Sequence, residues 1–580
     1  MRLNLIIILF LLSGITANGQ TSDIKPAEKN PLKTFCNPLN LSYRFCLDKP
    51  SRREAADPVI VLFRDKYFLF ASKSGGYWYS TDLLNWNFVT TPDLPLENYA
   101  PATVVIGDWL YFMASTSPLP NTIIYRSADP VSGKWETVND SFPIQLTDPA
   151  FLADSDGRIY FYYGCSNKDP IMAVELDKGN KLNPIGAPVA CFGGNPSLHG
   201  WEQTGDYNNN TDSPWIEGAW VNKYNGKYYL QYAAPGTQYK GYADGVYVSD
   251  KPLGPFTYQP DSPFSSKPEG FIAGAGHGAT FTDKYGNLWH IATMTISVKH
   301  MFERRLGLFP SGFDKEGHLF TYTGFGDYPV ILPEYRYKKP DELFRGWMLL
   351  SYKKKAEASS QISTCPVGFA FDENIRTYWS AETGNKGEWL SVDLGKVSTV
   401  NAIQVNFAEN NTSLFGRENI LCHQYIVEYS TNMKKWEMLV DKSRAVEDLT
   451  HQYEVIEKPV KARYLRITNN RVPGGTFAIS DFRIFGKGSG SLPSMVSSFK
   501  TERDKDDQRI IKLTWDKQQD AIGYNIRYGN QKDNLFHNYQ VYNNTSLTIR
   551  SLNKGVSYWF VIDSFGENGV TRGTKPKIVE

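Results

Sequence analysis

The sequence predicts an all-β protein, in which a five-bladed β-propeller is followed by two β-sandwich domains. The chain has 580 residues, more than one hydrophobic core can use, so several domains are expected. Aromatic residues make up 14% of it, and its 47 glycines and 33 prolines are typical of strands joined by many turns. A turn followed by an aromatic strand recurs five times, at residues 64–70, 107–112, 156–161, 225–230 and 285–290.

These five repeats predict the propeller. Turn residues between two apolar runs are typical of β-hairpins, and related strand edges follow several of the copies, so each repeat is several strands long. Radial repetition of such sheets lets each one bury both of its faces against its neighbours. We assign residues 30–340 to the propeller.

The strand pattern changes after about residue 335. Alternating strands between residues 350 and 485 predict a β-sandwich. The glycine- and serine-rich stretch 486–491 is typical of a flexible linker. Residues 493–580 predict a second sandwich, in which residues 552–558 resemble the tyrosine corner of immunoglobulin-like folds.

The first 19 residues are predicted to be a signal peptide. Arg2 precedes an apolar run that is too short to span a bilayer, and Ala17 and Gly19 place small residues at the −3 and −1 sites before Gln20. The alternative is a buried N-terminal strand. A signal peptide implies export, to the periplasm or the extracellular space.

Charge and cysteine content exclude some functions and leave others open. The formal net charge is +1, from 62 basic and 61 acidic residues without a long run of one sign, so nucleic acid is not an expected partner. None of the six cysteines forms a close metal-binding pattern. Cys36 with Cys46, or Cys165 with Cys191, could form disulfides in an exported protein; buried free thiols are the alternative.

Ionisable residues recur at one position of the repeats. Asp57, Asp148 and Glu217 each lie eight residues before a turn residue, and the same spacing gives His277 in the fifth repeat. The second repeat offers only residues 99–101 near this position. Because the inner strands of a propeller line its axis, we expect these groups to meet in one cavity. The alternative for each acid alone is a turn or capping carboxylate.

Such a carboxylate cluster is suited to glycoside hydrolysis. One carboxylic acid protonates the leaving oxygen, and an ionised carboxylate activates water or attacks the sugar. A third carboxylate nearby raises the pKa of the acid by repulsion between like charges. Tyr99, Trp201 and Trp215 could form the walls of a sugar pocket, with core packing as the alternative for each.

Residues 36–333 resemble glycoside hydrolase family 43, a family of inverting enzymes with a five-bladed propeller. The matching motifs are Ala56-Asp57-Pro58, Thr147-Asp148-Pro149, Trp215-Ile216-Glu217-Gly218 and Gly276-His277-Gly278. The resemblance implies that Asp57 is the general base, Asp148 the pKa modulator and Glu217 the general acid.

The same resemblance implies further substrate-binding residues. His277 matches the central histidine of the family, which lies near a bound ion in some members; a structural histidine is the alternative. Tyr99-Ala100-Pro101 matches an aromatic-Ala-Pro motif of the second blade. Arg304, at the start of a stretch resembling Arg-x-Leu-x-Leu-x-Pro, would contact substrate, or else form a surface ion pair.

Two further resemblances cover the second half of the chain. Residues 350–485 resemble a discoidin-like (coagulation factor 5/8 type C) domain, the fold of family 32 carbohydrate-binding modules. Its calcium-loop pattern matches residues 370–374 and 377–380, and implies a structural calcium ion at Asp372 and Asp481. Residues 493–580 resemble a fibronectin type III domain, most often a spacer.

Together these features predict an exported inverting exo-glycosidase acting on polysaccharide side chains. We expect α-L-arabinofuranosidase activity first, then β-xylosidase or β-galactofuranosidase activity, with a polysaccharide or oligosaccharide as partner and no cofactor needed for catalysis. A non-catalytic glycan-binding propeller is the competing hypothesis, because the fold alone does not confer activity. A retaining mechanism is a third possibility.

Overall fold

The computed structural model describes residues 33–115, 122–145, 147–417 and 421–580. The predicted signal peptide lies outside these residues. The described chain is almost entirely β-structure, and its helical elements are four short 3-10 turns, Pro130–Ser132, Gly200–Glu202, Pro340–Leu343 and Val367–Phe371. Within this part of the chain no helix is long and apolar enough to cross a membrane.

Five antiparallel sheets, each built on four consecutive strands, form the first domain, and the fourth sheet has a further short strand, Ser265–Ser266, on its third strand. The first and second sheets contain β1–β4 (Ala56–Phe63, Lys66–Ser72, Tyr77–Ser80, Asn87–Val89) and β5–β8 (Ala102–Ile106, Trp109–Met113, Thr122–Ser127, Glu136–Phe142). The third contains β9–β12 (Ala150–Ala153, Ile159–Tyr163, Ile171–Asp177, Asn183–Phe192). The fourth and fifth contain β13–β16 (Glu217–Tyr224, Lys227–Ala234, Ala243–Ser249, Thr257–Tyr258) and β17–β20 (Ala273–Thr282, Leu288–Thr295, Arg304–Phe313, Leu319–Thr321).

The five sheets close into a ring. Their first strands, β1, β5, β9, β13 and β17, contact one another in this order, and β17 contacts β1. This is the arrangement of the predicted five-bladed propeller. Thr34–Phe35 pairs with Val330–Ile331, so the two ends of the domain meet at the closure. The recurring turns join the first and second strand of each sheet, as the sequence predicts.

The second domain is one extended system of eight strands, β21–β28, with bounds Met348–Leu349, Lys355–Ala358, Trp379–Ser380, Trp389–Phe407, Gln424–Ser430, Glu437–Asp441, His451–Arg471 and Ala478–Lys487. Its long strands β24 and β27 pair along most of their length. Trp379 is fully buried in the core, where its ring meets Phe477 edge-on at 5.4 Å.

The third domain consists of two facing sheets. Its strands β29–β36 are Phe499–Arg503, Ile511–Trp515, Gly523–Gly529, His537–Tyr542, Ser546–Ile549, Tyr558–Gly566, Gly569–Thr571 and Lys577–Val579. One sheet has the order β29-β30-β33, and the other has the order β32-β31-β34-β35, with β36 on β34. The Tyr558 hydroxyl accepts a hydrogen bond from the Asn553 backbone N–H at 3.1 Å, the contact that defines a tyrosine corner.

The three domains share a buried interface. Phe325 of the propeller, Phe485 of the second domain and Phe565 of the third belong to one hydrophobic cluster. Beside it, the Arg483 guanidinium is fully buried and pairs with Glu373 at 2.7 Å. The same arginine donates a hydrogen bond to the backbone oxygen of Asp327 in the propeller.

The composition of the stretch 486–491 predicts a flexible linker, but the structure shows that its backbone is hydrogen-bonded to the third domain. The Gly488 N–H bonds the backbone oxygen of Glu567 at 2.8 Å, and the Gly490 N–H bonds the Asn568 side chain at 2.9 Å. Glycine and serine composition describes the freedom of an isolated chain, and here the adjoining domain supplies the hydrogen-bond partners.

All six cysteines are free thiols. Cys36 and Cys46 are buried apart, with Cys36 Sγ directed at the Asp327 backbone oxygen (3.3 Å) and Cys46 Sγ at the Glu54 carboxylate (3.5 Å). Cys165 Sγ contacts Glu217 instead of Cys191. Of the two alternatives left open by the sequence, the structure has free thiols, which are buried at Cys36 and Cys46 and partly buried at Cys165 and Cys191.

We predict that Arg483→Ala lowers the free energy of unfolding by about 3–5 kcal/mol, because it leaves the Glu373 carboxylate buried without its counter-ion. Urea unfolding followed by tryptophan fluorescence measures this. The matched control is Arg463→Ala, which removes a partly exposed two-pronged pair with Asp393 and should cost less than about 1 kcal/mol. Equal losses in the two variants would show that the buried pair, which lies within the second domain, contributes no more to stability than the partly exposed pair.

Candidate active site

Each propeller sheet has a residue in the left-handed backbone region within its first strand or just before it. These residues are Asp57, Ala100, Asp148, Gly218 and His277, with φ of 51°, 45°, 53°, 67° and 40°. Regular pairing with the second strand is established two residues later, at Val59, Ala102, Ala150, Trp220 and Ala279. Residues other than glycine are uncommon in this region, so four of them at equivalent positions, with a glycine at the fifth, mark a backbone feature shared by the five sheets.

Hydrogen bonds from the preceding sheet hold this conformation. The Asp57 N–H donates to the Thr293 hydroxyl at 2.7 Å, and the Ala100 N–H to the Ser72 hydroxyl at 2.7 Å. The Asp148 N–H donates to the Ser115 hydroxyl at 2.8 Å. Each acceptor lies at the end of the second strand of the neighbouring sheet, so closing the ring also orients these side chains.

Glu217 does not share this backbone position, contrary to the sequence spacing. The left-handed residue of the fourth sheet is Gly218. Six residues, 58–63 and 219–224, separate the left-handed residue from a two-residue turn in the first and the fourth sheet alike, so the sequence spacing counts from turn residues that are not equivalent, Asp65 and Asn225. A Cβ atom on Gly218 would lie 2.8 Å from the His277 ring, so this position needs glycine. The acid of the fourth sheet therefore comes from the preceding residue.

Asp57 is buried among partners that favour its ionised form. Arg304 Nη1 lies 3.0 Å from Oδ1, and the Ser72 hydroxyl donates to Oδ2 at 2.5 Å. His277 Nδ1 lies 3.3 Å from Oδ1. Burial alone would raise the pKa of Asp57, but the charges of Arg304 and His277 and the Ser72 hydrogen bond outweigh it and hold the pKa below its usual value.

Asp148 is in the opposite situation. Burial raises its pKa to about 7; His277 works against this rise, and the charges of Glu217 and Asp57 add to it. Its Oδ2 accepts the Gly218 N–H at 3.2 Å and lies 3.7 Å from His277 Nδ1. Burial would lower the pKa of His277, yet the surrounding carboxylates raise it. His277 thus lies as a cationic neighbour between two of the acids.

One hydroxyl group and one thiol group contact the Glu217 carboxylate. Tyr242 donates to Oε1, and Cys165 Sγ lies 3.1 Å from Oε2. Burial and the charges of Asp148 and Glu217 raise the pKa of the Cys165 thiol, which therefore keeps its proton. Asp148, Cys165 and Glu217 each offer a ligand atom within 4.8 Å of the others. The two carboxylates are thus close enough for strong mutual repulsion.

Of the other predicted residues, Arg304, Tyr99 and Trp215 lie at or beside the site, whereas Trp201 does not. Arg304 is buried at the site, where Nη2 pairs with Glu54 at 2.8 Å, so the surface ion pair is excluded. Tyr99 lies beside it, with the guanidinium 5.9 Å from its ring. Trp215 is 45% exposed, two residues before Glu217.

Trp201 is not a wall of the site. It is 1% exposed and packs among Tyr232 and Gly245 in the fourth sheet. Its indole N–H bonds the Tyr258 hydroxyl at 2.9 Å. A tryptophan in a long loop gives no sign in the sequence of whether it faces solvent or the core.

Several contacts of the site were not predicted. Ser72, Tyr242 and Glu54 each bond one of its charged groups, as described above. Ser72 is the last residue of β2 and lies two residues beyond the predicted repeat 64–70. Glu54 lies in a two-residue strand, Arg53–Glu54, and Tyr242 just precedes β15, so neither belongs to the repeat whose spacing was used.

The predicted calcium residues lie together in the second domain. The Asp372 carboxylate accepts hydrogen bonds from the Thr377 hydroxyl at 2.8 and 3.0 Å, and Asp481 accepts the Glu373 N–H at 2.9 Å. Burial raises the pKa of Asp372 to about 6. Buried oxygen donors of this kind fit calcium. Within the described ranges, neither residue belongs to a group of three close His, Cys, Asp or Glu ligands.

Comparison with known families agrees with this geometry. Residues 50–318 match the sequence profile of the glycosyl hydrolases family 43, and residues 355–482 match that of the F5/8 type C domain. The family 43 match covers less than half of the chain. The cluster of Asp57, Asp148, Glu217, His277 and Arg304 lies entirely within it.

Characterised relatives match parts of the family 43 domain. An arabinoxylan arabinofuranohydrolase of Paenibacillus polymyxa is 32% identical over 238 residues, 39% of this chain and 30% of the relative. A beta-xylosidase of Xylanibacter ruminicola is 31% identical over 161 residues, 23% of this chain and 42% of the relative. A beta-D-galactofuranosidase of Aspergillus niger is 24% identical over 260 residues, 39% of this chain and 70% of the relative. The chain thus spans less than half the length of the first two.

The pKa of Asp148 predicts a pH-dependent stability. The folded protein keeps this proton up to about pH 7, whereas the unfolded chain loses it near pH 4, so wild-type stability falls as the pH rises between these values. Asp148→Asn has no carboxyl group to titrate at this position. Its free energy of unfolding, relative to that of the wild type, should therefore rise by up to about 1.4 kcal/mol per pH unit between about pH 4 and 7. Urea unfolding at several pH values measures it, with the exposed Asp108→Asn as control. A difference that does not change with pH would contradict the raised pKa.

Proposed function

We propose that the protein is an exported inverting exo-glycosidase that hydrolyses bonds in polysaccharide side chains. The observation that carries this proposal is the division of labour among three clustered carboxyl groups. Asp57 is held ionised, as a general base must be, whereas Asp148 and Glu217 lie close enough that the pair retains a proton near neutral pH.

In this mechanism Asp57 removes a proton from water as that water attacks the anomeric carbon. Arg304 and Ser72 fix the carboxylate orientation, and His277 links it to Asp148. Glu217 gives a proton to the leaving oxygen, while Tyr242 donates a hydrogen bond to its Oε1. Asp148 lies close enough to Glu217 for the two carboxyl groups to share that proton, which is the role proposed for it as pKa modulator.

For the substrate we propose an α-L-arabinofuranoside first, then a β-D-xyloside or β-D-galactofuranoside. The names of the relatives support this range: an arabinofuranohydrolase, a beta-xylosidase and a beta-D-galactofuranosidase. Tyr99 and Trp215 are the proposed aromatic contacts to the sugar.

The competing proposal is a propeller that binds glycans without hydrolysing them. It leaves the cluster unexplained, because binding a neutral sugar does not need buried carboxylates that repel one another. We also propose that the F5/8 type C domain holds calcium at Asp372 and Asp481. The third domain has the sheet order and tyrosine corner that favour a fibronectin type III spacer.

Substrates with different leaving groups separate the roles of the acid and the base. Glu217→Gln should lower kcat/KM by about 10²–10⁴-fold on an oligosaccharide, where the leaving alcohol needs a proton, and much less on a 2,4-dinitrophenyl glycoside. Asp57→Asn should lower both rates equally, because attack by water is impaired in each case.

The control for these variants is Glu136→Gln, an exposed carboxylate on an outer strand. Steady-state rates on a matched pair of arabinofuranosides give the comparison. Equal losses on both substrates in Glu217→Gln would contradict its assignment as the acid. No turnover by the wild type on any of the three sugars would favour the binding protein.

The calcium proposal predicts a change in thermal stability. Calcium chloride at 100 times its dissociation constant should stabilise the second domain by about 2.7 kcal/mol relative to a chelator, because only the folded site binds the ion. Differential scanning calorimetry measures the shift, which Asp372→Asn should abolish and the exposed Asp441→Asn should leave intact. Equal melting temperatures with calcium and with chelator would contradict the proposal.

A further inference from the structure

An arginine of the F5/8 type C domain reaches across to the family 43 domain. Arg376 lies after the 3-10 turn Val367–Phe371 and contacts three separate propeller segments. Its Nε donates to the Ile296 backbone oxygen at 2.9 Å, and Nη1 donates to Asp206 Oδ2 at 2.6 Å. Nη2 donates to the Gln238 backbone oxygen at 3.2 Å. The planar guanidinium carries donors on three separate nitrogens, so it can serve three acceptors that lie on different segments.

The segment that contains Gln238 bonds the catalytic groups directly. Beside Gln238, the Thr237 hydroxyl accepts a hydrogen bond from Arg304 Nη1 at 3.3 Å, and the same Nη1 lies 3.0 Å from Asp57. Four residues after Gln238, Tyr242 donates to Glu217. The segment 237–242 therefore bonds Arg304, the partner of the proposed base, and also bonds the proposed acid, Glu217.

The other two segments carry aromatic residues of the site. The segment that starts at Ile296 leads to Phe302, whose ring meets Tyr99 at 5.9 Å and lies 5.1 Å from the Arg304 guanidinium. The segment containing Asp206 leads to the exposed Trp215. Asp206 Oδ1 also accepts the Lys240 N–H at 2.9 Å, which ties this segment to the one containing Gln238.

The Arg376 backbone is fixed relative to the propeller. Its N–H bonds Asn374 Oδ1 at 3.1 Å, and the neighbouring Ile375 is buried among propeller residues that include Phe271 and Met294. The Ile375 N–H also bonds the Phe271 backbone oxygen at 3.1 Å. The backbone that carries the guanidinium is therefore fixed, as is required of a residue that positions loops.

We propose that Arg376 is a positioning residue of the glycosidase, so that the F5/8 type C domain completes the active site of the family 43 domain. It holds the segments around Asp206, Gln238 and Ile296 in register with one another. Through Thr237 and Tyr242, that register sets the orientation of Arg304 and Glu217. This proposal rests on the proposed function of the same site.

The test compares Arg376→Ala with Arg463→Ala in the full-length protein. Both arginines form a two-pronged, partly exposed pair with an aspartate, but Arg463 pairs with Asp393 inside its own domain. Arg376→Ala should lower kcat on an aryl arabinofuranoside by about tenfold at saturating substrate, because misplacing catalytic groups by about 1 Å costs up to about 100-fold. The control should keep wild-type kcat. Arg376→Lys, which keeps the charge but cannot reach three acceptors, should be intermediate.

A double-mutant cycle with Asp206→Asn and hydrogen exchange complete the test. If the two residues act together, the double variant loses no more activity than Arg376→Ala alone. Amide exchange should rise in the segments 203–215, 236–242 and 296–303 of Arg376→Ala, and not in the control. Faster exchange with unchanged kcat, or no difference from the control in either measurement, would overturn the proposal. If the wild type has no glycosidase activity, the proposed function fails, and exchange alone still decides whether Arg376 orders these segments.

Discussion

Closure of the propeller ring fixes the left-handed residue at the start of each inner strand, and the rest of the site depends on this constraint. A residue such as Asp57 adopts that conformation only because its N–H is bonded by a hydroxyl of the neighbouring sheet. The same closure brings five strand starts to one axis. Side chains that lie far apart in the sequence thereby meet within hydrogen-bonding distance, on a framework of strands rather than loops.

Different partners at equivalent positions then give the acids different properties. The positive charge of Arg304 lowers the pKa of Asp57, whereas burial and the charges of two carboxylates raise the pKa of Asp148 to about 7. Internal symmetry supplies the shared location, and departures from symmetry supply the chemistry. The displacement of Glu217 by one residue is the clearest departure, because it leaves Gly218 to accommodate the His277 ring.

The sequence predicted the features that repeat, and it failed where a single segment breaks the repeat. Hairpin turns and aromatic strands follow local rules, so five sheets and the clustering of Asp57, Asp148 and His277 could be predicted. Residue counting places Glu217 at the wrong backbone position because it treats Asp65, the second residue of one turn, as equivalent to Asn225, the first residue of another. The burial of Trp201 and the contacts of Arg376 depend on packing between distant segments, and no spacing rule encodes them.

The configuration of the first-formed product tests the account most directly. Asp57 as a base that activates water, rather than as a nucleophile, requires inversion at the anomeric carbon. Proton NMR of the sugar released in the first minutes of hydrolysis, before mutarotation, reports that configuration. The account predicts the inverted anomer from an α-L-arabinofuranoside; release of the retained anomer would contradict it, because Asp57 would then have formed a covalent intermediate.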